Sequence, residues 1–215
     1  VKRAKAKGVV IGLSGGIDSS VTAILAKEAL GENLIALILP CKSSKEDLED
    51  AKLIAKKFKL KTKIVDLSKI YDILVNQILP KGNRISYANL KARLRMLVLY
   101  YFANKLNYLV CGTGNKSEIN VGYFTKYGDG ATDILPLGDL LKFEVRILAK
   151  DLGIPKKVVN KKPSAGLWPG QTDEGEMGIT YKDLDDILLR MEKNKRQILS
   201  EEKVEKVKDM IKIRT

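Results

Sequence analysis

The sequence predicts an α/β fold with an open, mostly parallel sheet and helices on both of its faces. Apolar or β-branched runs alternate with segments of helical periodicity in the order β-α-β-α-β-α-α-β, which is typical of parallel sheets. The run 34–39 is apolar throughout, as expected of a strand covered on both faces. The sequence has 215 residues, which is too few for two ordinary domains of roughly 150 residues each. We therefore expect a single domain over 1–215.

The first half of the chain supplies the strands of this sheet. Residues 9–13 form a short, mostly β-branched run that predicts the first strand, and helical spacing over 17–30 predicts a helix that Gly31 ends. Ser44 and Asp47 are spaced as a helix N-terminal cap. The same reasoning predicts a strand over 34–39, a helix from 44 to about 58, a strand over 63–67, a short helix over 70–79, a long helix over 87–106 and a strand over 108–111.

The second half is less regular. Residues 112–136 are rich in Gly, Asn, Thr and Asp with little periodicity, and a loop of that length in a compact domain is usually functional. Helical patterns return over 140–152 and 181–191, and the charged tail predicts a solvated helix. Between them, 162–178 holds two prolines and four glycines, so we expect no regular structure there and a mobile cover over the site.

Composition excludes several kinds of chemistry. The chain has no histidine, which rules out Ser-His-Asp and Cys-His nucleophiles, His-containing zinc sites and an imidazole acid or base. Cys41 and Cys111 lie far apart in apolar segments, so we expect buried thiols and a reducing, cytoplasmic location. The longest apolar runs have eight residues, whereas a membrane span needs about 20, so no membrane association is expected.

The charge balance predicts an anionic partner. Lys and Arg number 39 and Asp and Glu 26, a net charge of +13. Such a field favours nucleic acid, an anionic surface or a multiply phosphorylated small molecule, and the sign alone does not choose among them.

The turn after the first predicted strand has the character of a phosphate site. It reads Ser-Gly-Gly-Ile-Asp-Ser-Ser over 14–20. Two adjacent glycines can aim successive N–H groups at one point, and the following helix adds the partial positive charge of its N-terminus. The pattern is neither a Walker A loop nor a dinucleotide-binding fingerprint. Because Asp18 would repel a pyrophosphate there, we infer a magnesium ion between the two.

This turn resembles the pyrophosphate loop of the ATP pyrophosphatases, which cleave ATP between its α and β phosphates and leave AMP on a substrate. Four further segments, in order, resemble those of ammonia-dependent NAD synthetases, and the resemblance covers about 8–191. They are Asn-Leu-Lys-Ala-Arg-Leu-Arg-Met at 89–96, Gly-Thr-Gly-Asn-Lys-Ser-Glu at 112–118, Gly-Tyr-Phe-Thr-Lys-Tyr-Gly-Asp-Gly at 122–130 and Pro-Ser-Ala-Gly-Leu-Trp at 163–168.

The resemblance implies a site, a fold of the adenine nucleotide alpha hydrolase type and a homodimer. ATP and Mg²⁺ would serve as co-substrate and cofactor, with Asp18 and Glu118 as metal ligands. Catalytic roles fall to Asp18, Thr113, Lys142 and Ser164. ATP would contact Gly12, Leu13, Ser14, Gly15, Gly16, Ile17, Asp18, Ser19, Thr113, Lys142 and Ser164. The second substrate, deamido-NAD (nicotinic acid adenine dinucleotide), would contact Arg93, Lys126, Asp133, Asn194 and Lys195.

Two positions depart from the family pattern. Ala131 stands where relatives usually have a second glycine, and Gly166 replaces an acid of bacterial relatives. The chain is too short to hold a glutaminase domain as well, so free ammonia is the expected nitrogen donor.

Two alternatives stay open. A tRNA-modifying ATP pyrophosphatase would share the loop and suit the charge, although the thiolating members commonly carry a cysteine pair. A non-catalytic ATP-binding module would not require Asp18 and Glu118 together. The main interpretation involves small-molecule substrates and no stable nucleic acid partner.

Overall fold

The computed structural model describes residues 1–193 and 199–214 and confirms the α/β class. Its sheet has four parallel strands in the order β3-β2-β1-β4. The strands are β1 (Gly8–Gly12), β2 (Leu34–Ile38), β3 (Thr62–Ile64) and β4 (Tyr108–Cys111). Because the strands are parallel, the loops that follow β1, β2 and β4 meet at one edge of the sheet, where ligands bind in folds of this kind.

Helices connect and follow the strands. They are α1 (Ile17–Leu30), α2 (Lys45–Lys57), α3 (Ser68–Ile73), α4 (Arg84–Leu106), α5 (Lys116–Asn120), α6 (Lys142–Asp151), α7 (Lys156–Val159), α8 (Asp173–Met177), α9 (Tyr181–Glu192) and α10 (Glu201–Arg214). None of those described combines the length and the apolarity that crossing a membrane requires.

Alternate residues of the strands pack against different helices, as the uninterrupted apolar runs predict. Val9 and Ile11 belong to a core that includes residues of α1, α2 and α6. Val10 and Leu37 lie in a second core with residues of α4. A third core forms between α9 and α10. Helices therefore cover both faces of the sheet. Both thiols are buried, as expected: Cys111 ends β4, and Cys41 lies three residues beyond the end of β2.

Several predicted boundaries were wrong for local reasons. The third strand covers Thr62–Ile64, because its partner β2 ends at Ile38, the residue that pairs with Ile64. The short helix is α3 followed by a π-helical turn over Leu74–Ile78. The long helix begins earlier, at Arg84, because the side chain of Asn83 accepts a hydrogen bond of 2.8 Å from the Ser86 N–H and caps it.

Two segments predicted to be irregular each contain a short helix. Within 112–136, Asn115 and Glu118 form a reciprocal capping box that starts α5. Within 162–178, the side chain of Thr172 caps α8 by accepting from the Gly175 N–H. The expectation of no regular structure over 162–178 was therefore wrong, because a side-chain cap sustains one helical turn among the glycines.

Candidate active site

The loop between β1 and α1 is held in shape by its own serines. The Ser14 and Ser19 hydroxyls are 2.9 Å apart, and Ser19 also donates to the Gly16 carbonyl at 3.1 Å. Gly15 has φ +85°, and a Cβ there would lie 2.5 Å from the Asp47 carbonyl oxygen. Only glycine fits this conformation and this approach to α2.

A cavity of about 300 Å³ opens beside this loop at the carboxyl edge of the sheet. Of the residues that the sequence assigns to ATP and magnesium, all except Gly15 line it: Gly12, Leu13, Ser14, Gly16, Ile17, Asp18, Ser19, Thr113, Glu118, Lys142 and Ser164. Gly15 packs on α2 instead, behind the loop. The fold thus brings together residues that are more than 140 positions apart in the sequence.

Lys142 and two carboxylates form the charged centre of the cavity. The Lys142 ammonium lies 2.7 Å from Asp18 Oδ2 and 3.0 Å from Glu118 Oε1. Asn115 donates its side-chain N–H to Asp18 Oδ1 at 2.9 Å. Lys142 is only 1% exposed, so its charge acts in a medium that screens it weakly.

Sequence reasoning missed two residues that complete this centre. The Tyr181 hydroxyl lies 3.1 Å from Glu118 Oε1 and 3.1 Å from Asp173 Oδ2. The Tyr181 ring also faces Lys142, whose Nζ is 4.7 Å from the ring centroid. Asp173 begins α8 and lines the cavity. No local pattern identifies either residue, because each is an ordinary helix-start residue in the sequence.

Burial and the neighbouring charges shift the pKa values of the ionisable groups in this centre. Burial raises the pKa of Glu118 to about 7, and the Lys142 ammonium opposes that rise. Burial lowers the pKa of Lys142, but Asp18 and Glu118 outweigh it and hold that pKa above its usual range. Burial likewise raises the pKa of Asp173. Lys142 is therefore a permanent cation within this site.

Asp18 and Glu118 suit magnesium bound together with a nucleotide. Mg²⁺ usually takes one or two protein carboxylates and completes its shell with water and substrate phosphates. In the described parts of the chain, no group of three or more His, Cys, Asp or Glu is arranged to hold a metal ion. A site with two carboxylates beside a phosphate loop agrees with an ion that depends on ATP for its remaining ligands.

Of the residues assigned to deamido-NAD, the three that the structure describes, Arg93, Lys126 and Asp133, do not line this cavity. Arg93 Nε and Nη2 each lie 3.2 Å from the Lys126 carbonyl oxygen. Asp133 accepts from the Tyr100 hydroxyl at 3.2 Å and from the Val110 N–H at 2.7 Å. Residues 93 and 100 are about two helical turns apart, so they share one face of α4. Lys126 contacts the first and Asp133 the second, so both lie along that face. Asn194 and Lys195 lie outside the described residues.

Arg95 differs from Arg93 although only two positions separate them on α4. Its guanidinium donates to the Leu39 carbonyl at 3.1 Å and to the Ser43 hydroxyl at 3.2 Å, and it forms part of the cavity wall. Burial lowers the pKa of Arg95.

The structure also locates the two residues that depart from the family pattern. Ala131 lines the cavity, and Gly166 has φ +61°, a conformation that suits glycine.

This chain is similar to known proteins over most of its length. The model of the NAD synthase family matches residues 1–215. The NH₃-dependent NAD⁺ synthetase of Carboxydothermus hydrogenoformans is 52% identical over 192 residues, 87% of this chain and 79% of that protein. The protein of the same name from Archaeoglobus fulgidus is 50% identical over 207 residues, 95% of this chain and 83% of that protein.

Solved structures give the same family. The structure of NMN synthetase from Francisella tularensis has 41% identity and a TM-score of 0.89, and covers 99% of this chain and 87% of that one. The NH₃-dependent NAD synthetase from Campylobacter jejuni, solved with nitrate, has 35% identity and a TM-score of 0.84 over 99% of this chain and 87% of that one. The phosphate loop, the charged centre and these likenesses together show that the chain belongs to the NAD synthase family.

Proposed function

We propose that this chain is an ammonia-dependent NAD synthetase, a ligase that amidates deamido-NAD with ammonia and converts ATP to AMP and pyrophosphate. The observation that carries the proposal is the buried Lys142, which lies between Asp18 and Glu118 in the cavity that the loop 14–19 lines. Two relatives named NH₃-dependent NAD⁺ synthetases support it, since they are 52% and 50% identical to this chain over most of its length.

A carboxylate does not condense with an amine at neutral pH, because it lacks a leaving group. In the proposed reaction, an oxygen of the nicotinate carboxylate attacks the α phosphorus of ATP and pyrophosphate departs. The nitrogen of ammonia then attacks the acyl carbon, AMP departs with the bonding electrons, and a proton is released. In this proposal the loop 14–16 and the N-terminus of α1 receive the pyrophosphate, which the partial positive charge of the helix attracts. Within the loop, the Ser14 and Gly16 N–H groups donate to the Ser19 and Ser14 hydroxyl oxygens, each at 3.2 Å.

Lys142 and the two carboxylates have separate roles in this proposal. Lys142 is a fixed cation whose interaction with the phosphates strengthens as charge develops in the transition state. Asp18 and Glu118 would hold Mg²⁺, which supplies charge neutralisation on the phosphates. The Thr113 and Ser164 hydroxyls lie on the cavity wall, where they can contact ATP.

The proposal places deamido-NAD along the face of α4 that carries Arg93, with Lys126 and Asp133 beside it. The same helix exposes Leu97 and Tyr101, which are 62% and 61% accessible and one turn apart. Contiguous apolar surface of this kind is typical of an interface. We therefore propose a homodimer that buries Leu97 and Tyr101 of α4 and leaves Arg93 accessible to deamido-NAD. The unit of this dimer is the single domain 1–215, and its location is the cytoplasm.

A second substrate is favoured by one comparison. The Francisella tularensis structure, with a TM-score of 0.89, is that of an NMN synthetase. The same adenylation and amidation, carried out on nicotinic acid mononucleotide, would need the loop 14–19, Lys142 and the carboxylates equally. The two substrates share the reacting carboxylate and differ in the adenylate half that deamido-NAD adds.

One assay tests these functions together. The purified chain is incubated with ATP, Mg²⁺ and ammonium, and deamido-NAD, nicotinic acid mononucleotide or tRNA is added to separate samples. We expect AMP and pyrophosphate release with deamido-NAD, and NAD as the product. Release with the mononucleotide alone would favour NMN synthesis, release with tRNA alone would contradict the proposal, and release with none would favour an ATP-binding module. Replacing ammonium by ammonia-free glutamine should abolish the product.

A further inference from the structure

The start of α6 is held by side chains from two other helices. The Lys142 N–H donates to the Ser117 hydroxyl oxygen at 2.9 Å, and the Phe143 N–H donates to Asp185 Oδ2 at 2.9 Å. The Ser117 hydroxyl in turn donates to Asp185 Oδ1 at 2.5 Å. Ser117 belongs to α5 and Asp185 to α9, so three helices meet at the residue that carries the buried ammonium.

This arrangement meets a need that α6 cannot meet locally. The first N–H groups of a helix have no partner within the helix, and a side-chain oxygen at the N-cap usually accepts one of them. The N-cap of α6 is Leu141, which has no such oxygen. Asp185 and Ser117 replace it, and the carboxylate is also attracted to the positive end of the α6 dipole.

Asp185 is buried but does not line the cavity. It is 3% exposed, burial raises its pKa, and it is absent from the cavity wall. A buried carboxylate is unfavourable unless its oxygens are well bonded, and the hydrogen bonds of Asp185 within the described residues go to Ser117 and to the start of α6. Asp185 can therefore affect the reaction only indirectly, through the start of α6, which carries Lys142, or through Ser117, which precedes Glu118.

Contacts of α9 with α5 make the support rigid. Three consecutive residues of α5 contact α9: Lys116 pairs with Glu192 at 2.8 Å, Ser117 with Asp185, and Glu118 with Tyr181. The metal-ligand candidate Glu118 and the start of α6 thus share one scaffold. We propose that Asp185 is a positioning residue that, through Ser117 and the Phe143 N–H, fixes the distance between the Lys142 ammonium and the ATP phosphates.

This inference rests on the proposed function of Lys142, so its test separates the two. Asp185→Ala and Asp185→Asn are the test variants. The control is Asp186→Asn, which removes one negative charge from the same helix at a residue that pairs with Arg190. We expect Asp185→Ala to lower the single-turnover rate of AMP formation by about 100-fold, since a displacement near 1 Å has effects of that size. KM for deamido-NAD should change by less than about twofold, because that substrate lies along α4.

A double-mutant cycle gives the decisive readout. In a Lys142→Ala background, Asp185→Ala should lower the remaining rate by less than about twofold, because its effect passes through Lys142. Asp185→Asn keeps one acceptor oxygen, so it should restore part of the rate lost in Asp185→Ala. Equal losses with and without Lys142, or an unchanged kcat in Asp185→Ala, would overturn the inference.

Amide hydrogen exchange supplies an arm that does not depend on activity. The Lys142 and Phe143 amides should lose protection in Asp185→Ala and keep it in Asp186→Asn. If the wild-type chain makes no NAD but this pattern is found, the proposed function has failed and the capping by Asp185 stands. If the chain makes NAD and the amides stay protected in Asp185→Ala, only the role of Asp185 has failed.

Discussion

The Lys142 ammonium and the Asp18 carboxylate lie 2.7 Å apart although 124 positions separate them in the chain. Asp18 is in the first turn of α1 and Lys142 is the first residue of α6, so each is placed by the start of a helix at the carboxyl edge of the sheet. Glu118 joins them from α5. The arrangement keeps two negative groups close to a phosphate loop because a buried cation compensates their charge.

Asp18→Asn and Glu118→Gln should each lower turnover by at least about 100-fold without unfolding the chain. Each variant leaves Lys142 one of its two carboxylate partners, which is why the fold should persist. Steady-state rates over a range of Mg²⁺ concentrations, with thermal unfolding in parallel, measure this. Asp139→Asn, an exposed change of the same kind, is the control. Near-native activity of either variant would show that its residue is no metal ligand.

The segment 162–178 should become more ordered when ATP and deamido-NAD bind together. An acyl adenylate is hydrolysed if water reaches it, so a cover over the site is needed. The only tryptophan of the chain, Trp168, lies in this segment with the Arg84 guanidinium 4.9 Å from its ring centroid. We expect both ligands together to shift its emission to shorter wavelength and to reduce quenching by iodide.

Quenching by neutral acrylamide should decrease on ligand binding as quenching by iodide does. This control checks whether the attraction of the iodide anion to a chain of charge +13 affects the result. ATP alone is the control for the effect of the second ligand. If emission and quenching stay unchanged at saturation with both ligands, Trp168 is a fixed anchor and 162–178 is no cover.

The chain should be a homodimer of about 48 kDa, twice its mass of 23.9 kDa, because burying Leu97 and Tyr101 of two copies removes apolar area from water. The double variant Leu97→Glu and Tyr101→Glu should shift light scattering toward the mass of one chain. Leu53→Glu, which places a charge at an exposed leucine of α2, should leave the mass unchanged. A wild-type mass near that of one chain at working concentration would contradict the dimer.

Asp50 should stabilise the fold in a pH-dependent way. It is 1% exposed and lies 2.7 Å from the Lys161 ammonium and 2.8 Å from that of Lys157. Burial raises the pKa of Asp50, but the hydrogen bonds from these lysines outweigh it and hold the pKa below its usual range. A carboxyl whose pKa is lower in the folded state contributes stability above its unfolded pKa and loses it as the pH falls through the folded value.

We therefore expect Asp50→Asn to lower the free energy of unfolding by about 2 kcal/mol at pH 7, the size typical of hydrogen bonds to a charged group. The difference from wild type should shrink below about pH 4 as the wild-type carboxyl is protonated. Urea unfolding at several pH values measures it, with the exposed Glu49→Gln as a control. A difference independent of pH would show that packing, and not the ion pairs, accounts for the loss.

The sequence by itself determined the architecture and the phosphate loop. Both depend on signals within a few neighbouring residues: apolar runs for β1 and β2, helical spacing for α1, and two adjacent glycines that no other residue type replaces at Gly15. The family was also accessible, since four segments in order resemble it and the comparisons confirm it. The bounds of β3 were misjudged because the end of its partner β2 sets them, and α5 and α8 were missed because side-chain caps sustain them.

Only the tertiary structure decided which side chains surround Lys142. Tyr181, Asp173 and Asp185 lie 30 to 45 positions beyond Lys142 in ordinary helical sequence, and nothing local marks them. Arg93 and Arg95 are alike in the sequence, yet their directions on α4 place one on the surface and the other in the cavity wall. Local periodicity specifies which residues share a face, but the packing of one helix on another decides what each face meets.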